Sequence, residues 1–524
     1  MSQFILTDEK WIPCVMDNGT AHDLSLRESL NEAHHIREIF DPSPLVTAAL
    51  HRLLLAVLHR NFRVNSLADW KMLWQQRRFD EEKLNTYFDR WWSRFDLLHA
   101  ERPFYQRSSL TLSKRMPLKR LGWEFAAGNN GTLFDHSWDE DRPAVAPAVA
   151  ARWVIATQCF AASAGRGEKG QLHTKDSPWT RGAIILVQGD NLFETLALNL
   201  LSLHRTDFLS TQDDLPVWES DEDWQPAHDQ TPRGLLEYLT WQSRSIRLLP
   251  DEQGALRECF FAQGRALPED FRNEPMYAYR RNREQGLIIW SFNEFRVLWR
   301  DSHALFNLSD EAPFRVPQAF HQLARLVREG FLERERMYRL QVMGQCLESG
   351  QPTIYFWRTE RLPLRVEYLN EKELLEKLRE ALTLTEQVAR DLGASVYMLA
   401  RLLLEYTSER KPDKKDIQQI IMHLGTEALY WSRLEGYFRK LLSRLPNDQT
   451  TDEGGVVEYG TTELPRWEET LRAVATDTFT TATRSLDNSS RALKAVAAAE
   501  HNFRRRLNET LGISQSQSAT GGQQ

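Results

Sequence analysis

The sequence predicts an α+β fold, with a large mixed N-terminal domain followed by a C-terminal four-helix bundle. Up to about residue 366, short apolar or alternating runs are interspersed with turn signals and helical segments. From about residue 371 strand signals vanish, and four amphipathic segments follow with polar breaks between them. We therefore expect an α+β domain over residues 1–366, the bundle over 367–514 and a disordered tail over 515–524.

The N-terminal part contains a strongly predicted helix and several strand-like runs. Apolar residues that recur at helical spacing predict a helix over 44–60. Pro44 marks its start, because proline is favoured in the first turn of a helix. The runs AIILVQ (183–188) and GLIIWSF (286–292) have the apolar content of strands. Gly189-Asp190-Asn191, directly after the first run, predicts a hairpin-like turn.

The C-terminal part contains four segments with the apolar spacing of amphipathic helices. Apolar residues at helical spacing predict helices over about 374–403, 417–441, 465–474 and 493–507. The break at Lys411-Pro412-Asp413 separates the first two, and Pro446 ends the second. The polar run DQTTDEGG (448–455) is expected to be an exposed loop.

The charge balance limits the possible functions. The chain has 66 Lys and Arg against 73 Asp and Glu, a net charge of −7. This balance argues against non-specific coating of nucleic acid but permits a local basic groove. Short basic runs are interpreted as solvated helix faces and turns. These runs are Lys114, Arg115, Lys119 and Arg120; Arg280, Arg281 and Arg283; Lys411, Lys414 and Lys415; and Arg504, Arg505 and Arg506.

Targeting and cysteine patterns favour a soluble cytoplasmic protein. The N-terminus, MSQFILTDEKWIP, lacks the pattern of a signal peptide, and no window approaches the roughly 20 apolar residues that span a bilayer. We therefore expect no membrane partner. The cysteines are far apart and form no CxxC pair, so we expect reduced, mostly buried thiols, with no metal and no cofactor. They are Cys14, Cys159, Cys259 and Cys346.

A glycine-rich segment matches GxGxxG between Gly165 and Gly170. The preceding residues look helical, and Pro178 prevents a helix directly afterwards, so a dinucleotide site is rejected. Two interpretations remain open. The segment is either a plain surface loop or a flexible loop whose backbone N–H groups approach another molecule closely.

No motif indicates catalysis. The sequence has no GxxxxGK[ST], HExxH or GxSxG pattern, and His173 with Asp176 lacks the third ligand that a metal site needs. A separate turn, Glu348-Ser349-Gly350-Gln351-Pro352, places Gln351 at a loop tip. Such an amide is either solvent-exposed and inert or able to hydrogen-bond base edges in a groove.

Taken in order, several segments resemble the large subunit of the type I-E CRISPR Cascade surveillance complex, the CasA family. They are FILTDEKWIPCV, HAERPFYQ (99–106), TLFDHSW (132–138), the glycine loop, TWQSRSIRL (240–248) and GQPTIYFWRTERLPL, with the helical C-terminal third. The resemblance covers nearly the whole chain. It implies a non-enzymatic subunit that reads the protospacer-adjacent motif (PAM) on double-stranded DNA, promotes strand opening and R-loop formation, and recruits a helicase-nuclease in antiviral defence.

The resemblance also implies roles for individual residues. The DNA-binding glycine loop corresponds to Gly165, Arg166, Gly167, Lys169 and Gly170, and the DNA wedge to Gln351. The loop that contacts the guide's handle and a backbone subunit corresponds to Leu133, Phe134, Asp135 and His136. The family's basic finger falls in FFAQGRALPEDF (260–271), which contains no lysine, so Arg265 or Gln263 would have to serve.

The implied partners are the guide CRISPR RNA, double-stranded target DNA, the other Cascade subunits and the helicase-nuclease. The other subunits comprise the small, backbone and handle-binding subunits. The family's cysteine cluster, present in some relatives, is missing, so no zinc is expected. Two alternatives stay open: a nuclease with an unrecognised site in the α+β half, and a pure protein–protein adaptor.

Overall fold

A computed structural model describes most of the chain. The described residues are 3–122, 142–163, 165, 168, 171–202, 208, 213–221, 224–348, 353–405, 412–451, 457–484, 486 and 488–512. The chain divides into two units: the first comprises Met1–Asn293 and Leu308–Arg361, the second Glu294–Asn307 and Leu362–Gln524. The predicted tail over 515–524 lies outside the described residues.

Helices and strands alternate through the first unit, and helices dominate the second. The helices are α1 (Leu26–Asn31), α2 (Pro44–Phe62), α3 (Leu67–Gln75), α4 (Glu81–Trp91), α5 (Pro147–Phe160), α6 (Leu192–Asn199), α7 (Leu235–Leu239), α8 (Ser302–Leu305), α9 (Gln318–Arg328), α10 (Glu367–Asn370), α11 (Lys372–Glu405), α12 (Lys414–Leu424), α13 (Thr426–Arg444), α14 (Glu463–Arg484) and α15 (Ser490–Leu511). The strands are β1 (Ile12–Met16), β2 (Ala21–Leu24), β3 (Ile36–Ile39), β4 (Met116–Pro117), β5 (Ala183–Gln188), β6 (Arg244–Pro250), β7 (Leu256–Gln263), β8 (Tyr279–Asn282), β9 (Gly286–Ile289), β10 (Phe314–Arg315), β11 (Met337–Leu347), β12 (Ile354–Arg365), β13 (Gln449–Thr451) and β14 (Val457–Tyr459). The predicted α+β class with a helical C-terminal region is confirmed.

The first unit is organised around the buried helix α2. Pro44 occupies its first turn, where the missing N–H is no loss, and every residue from Pro44 to His59 is buried. Because polar residues such as His51, Arg52 and His59 are buried together with the apolar ones, the helix is covered on all sides. Helices α5, α6 and α7 pack against it, as does β11. The predicted helix over 44–60 is confirmed and extends to Phe62.

The first unit also contains small sheets, and α2 contacts strands β3 and β11 of these sheets. The strand orders in the first unit are β2-β1-β3, β10-β8-β9, β12-β11-β5 and β4-β7-β6. The predicted strand over 183–188 is β5, and it pairs antiparallel with β11. The predicted strand over 286–292 is shorter, because β9 ends at Ile289.

The expected hairpin turn after β5 is wrong. The chain enters α6 instead, where the Oδ1 atom of Asn191 accepts a hydrogen bond from the backbone N–H of Glu194 at 2.9 Å. Asparagine is among the preferred residues for capping a helix in this way. The turn residues therefore begin a helix rather than a second strand.

The second unit contains the predicted bundle. Its long helices are α11, α13, α14 and α15; α11 packs against the other three, and α13 packs against α14. The core contains Leu378, Leu382, Phe438, Trp467 and Phe503, all of them buried. The segment Glu294–Asn307 joins this unit, where the Trp299 ring stacks on Phe438 at 4.4 Å.

Two details of this unit differ from the prediction. The single helix expected over 417–441 is divided into α12 and α13 by Gly425, whose φ of 58° is left-handed and ends α12. Part of the run 448–455, expected to be a loop, is strand β13, which pairs with β14. Residues 452–456 lie outside the described residues.

The prediction of free, mostly buried thiols is confirmed. All four thiols are free; Cys14, Cys159 and Cys259 are buried, and Cys346 is half-buried. Burial raises the pKa of Cys259 to about 12, so this thiol stays protonated and unreactive at neutral pH. In the part of the chain that the structure describes, no helix has the length and apolar character needed to cross a membrane.

Candidate nucleic-acid interface

Part of the predicted site lies within the described residues. Gly165, Gln263 and Arg265 are described. The other candidates lie outside the described residues, and their roles stay predictions. They are Leu133, Phe134, Asp135, His136, Arg166, Gly167, Lys169, Gly170 and Gln351.

Gly165 begins the glycine loop in a left-handed conformation. Its φ is 81°, a value that favours glycine. Its carbonyl accepts two hydrogen bonds from Thr174, one from the backbone N–H at 3.1 Å and one from the hydroxyl at 2.9 Å. The two arms of the loop are therefore joined directly at this point.

The segment that follows the glycine loop is hydrogen-bonded to the C-terminal end of α5. The backbone N–H of Ser177 donates to the Ala161 carbonyl at 2.9 Å, and that of Trp179 donates to Cys159 at 2.8 Å. The Trp179 ring is fully buried. These hydrogen bonds, together with those between Gly165 and Thr174, form what we call the neck of the loop, which connects it to helix α5. The helix before the glycines agrees with the expectation from the sequence.

Gln263 supports the returning arm from beneath. Its Oε1 atom accepts a hydrogen bond from the backbone N–H of Lys175 at 2.7 Å, and its Nε2 atom donates to the Ser243 carbonyl at 3.2 Å. The residue is 2% exposed. In this structure both ends of the amide are used internally, so Gln263 does not project as a finger.

Arg265 is also held against the protein. Its guanidinium stacks 3.9 Å from the centroid of the Trp241 ring and donates from Nη1 to Glu237 at 2.8 Å and from Nε to Gln230 at 2.7 Å. Only 15% of the side chain is exposed. Although burial alone would raise the pKa of Glu237, the Arg233 backbone N–H and the Arg265 guanidinium lower it below its ordinary value. The finger role of Arg265 stays a prediction.

Glu168 is a described residue inside the glycine loop that sequence reasoning did not select. Its carboxylate accepts hydrogen bonds from the backbone N–H groups of Ser113 at 2.9 Å and Lys114 at 2.6 Å. These two donors lower the pKa of the Glu168 carboxyl. The only available signal was an acidic residue among three glycines.

The basic runs differ in exposure. Lys114 and Arg115 are exposed, whereas Lys119 is only 1% exposed, so its interpretation as a solvated charge is wrong. Its position in the short helical turn after β4 directs it inward. In α15, the exposed Arg504 and Arg505 form ion pairs along their own helix.

The potential metal-ligating groups do not coincide with the loop. Asp176 accepts hydrogen bonds from Ser163 and Arg181 and therefore has structural partners. Among the described residues, the group that brings three possible ligand atoms within 4.8 Å of one another is Glu32, His34 and His35. It lies in the turn after α1, away in sequence from the glycines.

Comparison with known proteins agrees with this fold. Residues 6–478 match the family model of the CRISPR-associated protein Cse1. The CRISPR-associated protein CasA/Cse1 of Thermus thermophilus is 32% identical over 522 residues, covering 97% of this chain and 98% of that protein.

Two solved structures extend the comparison. Thermobifida fusca Cse1 superposes with a TM-score of 0.80 at 25% identity, covering 97% of this chain and 98% of the other. A chain of a CRISPR RNA-guided surveillance complex shares the fold with a TM-score of 0.75 at 20% identity, covering 96% of this chain and all of that one. Because the family match spans both units, the chain belongs to the CRISPR-associated Cse1 (CasA) family.

Proposed function

We propose that this chain is the large, non-catalytic subunit of an RNA-guided CRISPR Cascade complex. In this role it recognises the PAM on double-stranded DNA, promotes local strand opening and R-loop formation, and recruits the helicase-nuclease. The observation that carries the proposal is a glycine loop held on an ordered neck by the Gly165–Thr174 hydrogen bonds, in a chain of the Cse1 family.

The division of labour is physically reasonable. Guide RNA reads a long target by base pairing, so protein needs to read only a short flank. The minor groove offers a degenerate code, and the glycines of a loop allow its backbone N–H groups to approach the groove closely. We assign this contact to Gly165, Arg166, Gly167, Lys169 and Gly170, with the two cations contributing phosphate contacts.

Two further segments complete the proposed role. Gln351, before Pro352, acts as the wedge that separates the first base pair beside the PAM. Leu133–His136 contacts the guide's handle and a backbone subunit. The net charge of −7 fits this arrangement, because guide RNA and the other subunits provide much of the phosphate contact.

The basic finger is assigned less directly. For Arg265 to reach a minor-groove acceptor, its guanidinium would have to leave both Glu237 and the Trp241 ring. Gln263 would have to release the Lys175 N–H. Glycine-loop residues therefore make the principal flank contact in this proposal, and Arg265 is the secondary candidate.

The wedge assignment is tested with Gln351→Ala in the reconstituted complex. We expect slower strand opening on fully paired DNA and a much smaller effect on a target already mismatched beside the PAM, since unstacking one step costs a few kcal/mol. Gln253→Ala, at an exposed turn between β6 and β7, is the control and should change neither rate. Equal impairment on both targets would remove the wedge from the account.

The absence of catalysis is tested separately. Purified chain is incubated with magnesium or manganese and labelled duplex and single-stranded DNA. Under the proposal both substrates stay intact. Cleavage that follows the chain through purification would instead support the nuclease alternative.

A further inference from the structure

The carboxylate of Glu168 joins the glycine loop to a second segment far away in the sequence. Its two backbone donors, Ser113 and Lys114, precede it by 55 and 54 residues. Two adjacent N–H groups that converge on one anion form a short concave binding arrangement. This contact is therefore a specific tertiary link rather than a local turn.

The backbone of Glu168 is also held. Its carbonyl accepts a hydrogen bond from the Gln171 N–H at 2.9 Å, and the nearby junction joins Gly165 to Thr174. The side chain and main chain of Glu168 thus restrain the loop at a point beyond its neck. A loop restrained in this way loses less conformational entropy when a ligand binds.

We propose that Glu168 latches the exposed segment Ser113–Arg115 to the glycine loop, and that Lys114 on this segment contacts the phosphate backbone of the duplex beside the PAM. This inference rests on the proposed function for its ligand. The latch itself is defined by the hydrogen bonds and does not depend on DNA.

The charges of this segment fit a phosphate partner. Glu168 is satisfied by backbone N–H groups rather than by the Lys114 ammonium, which has no ion-pair partner among the described residues. Arg115 pairs with Glu258 at 3.1 Å, and Arg142 shares the same carboxylate. Lys114, Arg115 and Arg142 carry three positive charges against the two negative charges of Glu168 and Glu258, so these five side chains together have one net positive charge.

The latch is tested first on the isolated full-length chain. We expect Glu168→Ala to increase hydrogen exchange at the Ser113 and Lys114 amides by at least about ten-fold, because both amides lose their acceptor. Glu252→Ala, an exposed glutamate in the β6–β7 turn, is the control and should leave those amides protected. Unchanged exchange in Glu168→Ala would overturn the latch.

The phosphate contact is tested in the reconstituted complex. Lys114→Ala should weaken duplex binding by about two- to five-fold, the effect of one exposed ion pair. The slope of log K against log salt should become shallower by about 0.9 for the lost contact. Lys10→Ala, an exposed lysine of the same unit that pairs with Glu28, should change neither quantity.

A double-mutant cycle tests whether the loop and segment act together. If the latch positions Lys114, the combined effect of Glu168→Ala and Lys114→Ala should be smaller than the product of the two single fold-changes. If the effect of the double substitution equals the product of the two single fold-changes, the two residues act independently, and this result would contradict the proposal.

Two further experiments distinguish a failure of this inference from a failure of the proposed function. Lys114→Ala should not affect assembly of the guide-loaded complex without DNA; a loss there would mean that the segment faces guide RNA or another subunit. If Gly167→Asp weakens duplex binding but Lys114→Ala does not, the inference alone fails. If neither substitution weakens binding, the proposed loop contact fails as well, while the exchange experiment still decides the latch.

Discussion

The Oε1 atom of Gln263 accepts a hydrogen bond from the backbone N–H of Lys175 at 2.7 Å. This bond connects the end of β7 to the arm that returns from the glycine loop. Gln263 is 2% exposed and so supports the loop without facing solvent. The position of a proposed DNA-reading loop thus depends on a residue buried beneath it.

Arg265→Ala should destabilise the isolated protein. The substitution removes a cation from the Glu237 carboxylate, whose side chain is only 5% exposed, and uncovers the Trp241 ring. We expect the free energy of unfolding to fall by about 1–3 kcal/mol, measured by urea denaturation. Arg257→Ala removes an exposed pair with Asp251 and should change it by less than about 1 kcal/mol. Unchanged stability together with lost duplex binding would instead support a finger role for Arg265.

Gly264→Ala should also be destabilising, for a steric reason. A Cβ atom at this position would lie 2.4 Å from the Gln242 carbonyl oxygen and 2.7 Å from the Arg244 nitrogen, both backbone atoms. We expect a loss of about 1–3 kcal/mol in the free energy of unfolding. Gly393→Ala in α11 meets no atom within 4 Å and should stabilise by about 0.5–1 kcal/mol. Melting temperatures that shift in the same direction for both variants would contradict this comparison.

The elements predicted correctly are those whose sequence pattern is compatible with only one type of secondary structure. The apolar stripe of helix α2 and the apolar run of β5 require burial, and their bounds follow from Pro44 and from the polar residues after Gln188. The bundle follows from stripes of apolar residues at helical spacing. These features depend on local periodicity, which a sequence displays directly.

The errors arise where the structure depends on a backbone conformation or on contacts between residues that are far apart in the sequence. The apolar stripe continues across Gly425, so periodicity alone did not show the left-handed break between α12 and α13. Asn191 suits both a turn and a helix cap, and packing of α6 decides between them. The partners of Glu168 and Arg265 are distant in sequence, so no local pattern could reveal them.

His59 should make stability depend on pH. Burial lowers its pKa from 6.5 to about 3, so the folded protein keeps this imidazole neutral while the unfolded chain binds a proton below pH 6.5. Neutral His59 therefore does not lower the free energy of unfolding above pH 6.5. As the pH decreases from 6.5 toward 3, the free energy of unfolding falls progressively, by at most about 1.4 kcal/mol per pH unit.

The test is the melting temperature of His59→Leu between pH 6.5 and about 4. Among the described residues the His59 Nδ1 atom has no hydrogen-bond partner, so leucine removes no bond made by that nitrogen. The variant should show a flatter decline than the parent, and His22→Leu, at an exposed site, should not. A parallel decline in His59→Leu and the parent would contradict the assignment.

Phe134→Ala should release the chain from the assembled complex. An aromatic anchor at a subunit contact contributes to binding rather than to the core, so the melting temperature of the isolated protein should stay unchanged. Co-purification with the guide-loaded subunits is the measurement, and Phe40→Ala, a substitution at a 56% exposed phenylalanine, is the control. Retained co-purification with a lowered melting temperature would identify Phe134 as a core residue.

The most direct test of the central claim is a gel-shift measurement of the reconstituted complex on duplexes that share one protospacer but carry randomised flanks. With the chain present, binding should concentrate on a subset of flanks, and Gly167→Asp should weaken it because bulk and negative charge are added where backbone must approach DNA. Without the chain, flank preference should disappear. A preference that persists unchanged without the chain, or that never appears with it, would contradict the proposed role in PAM recognition.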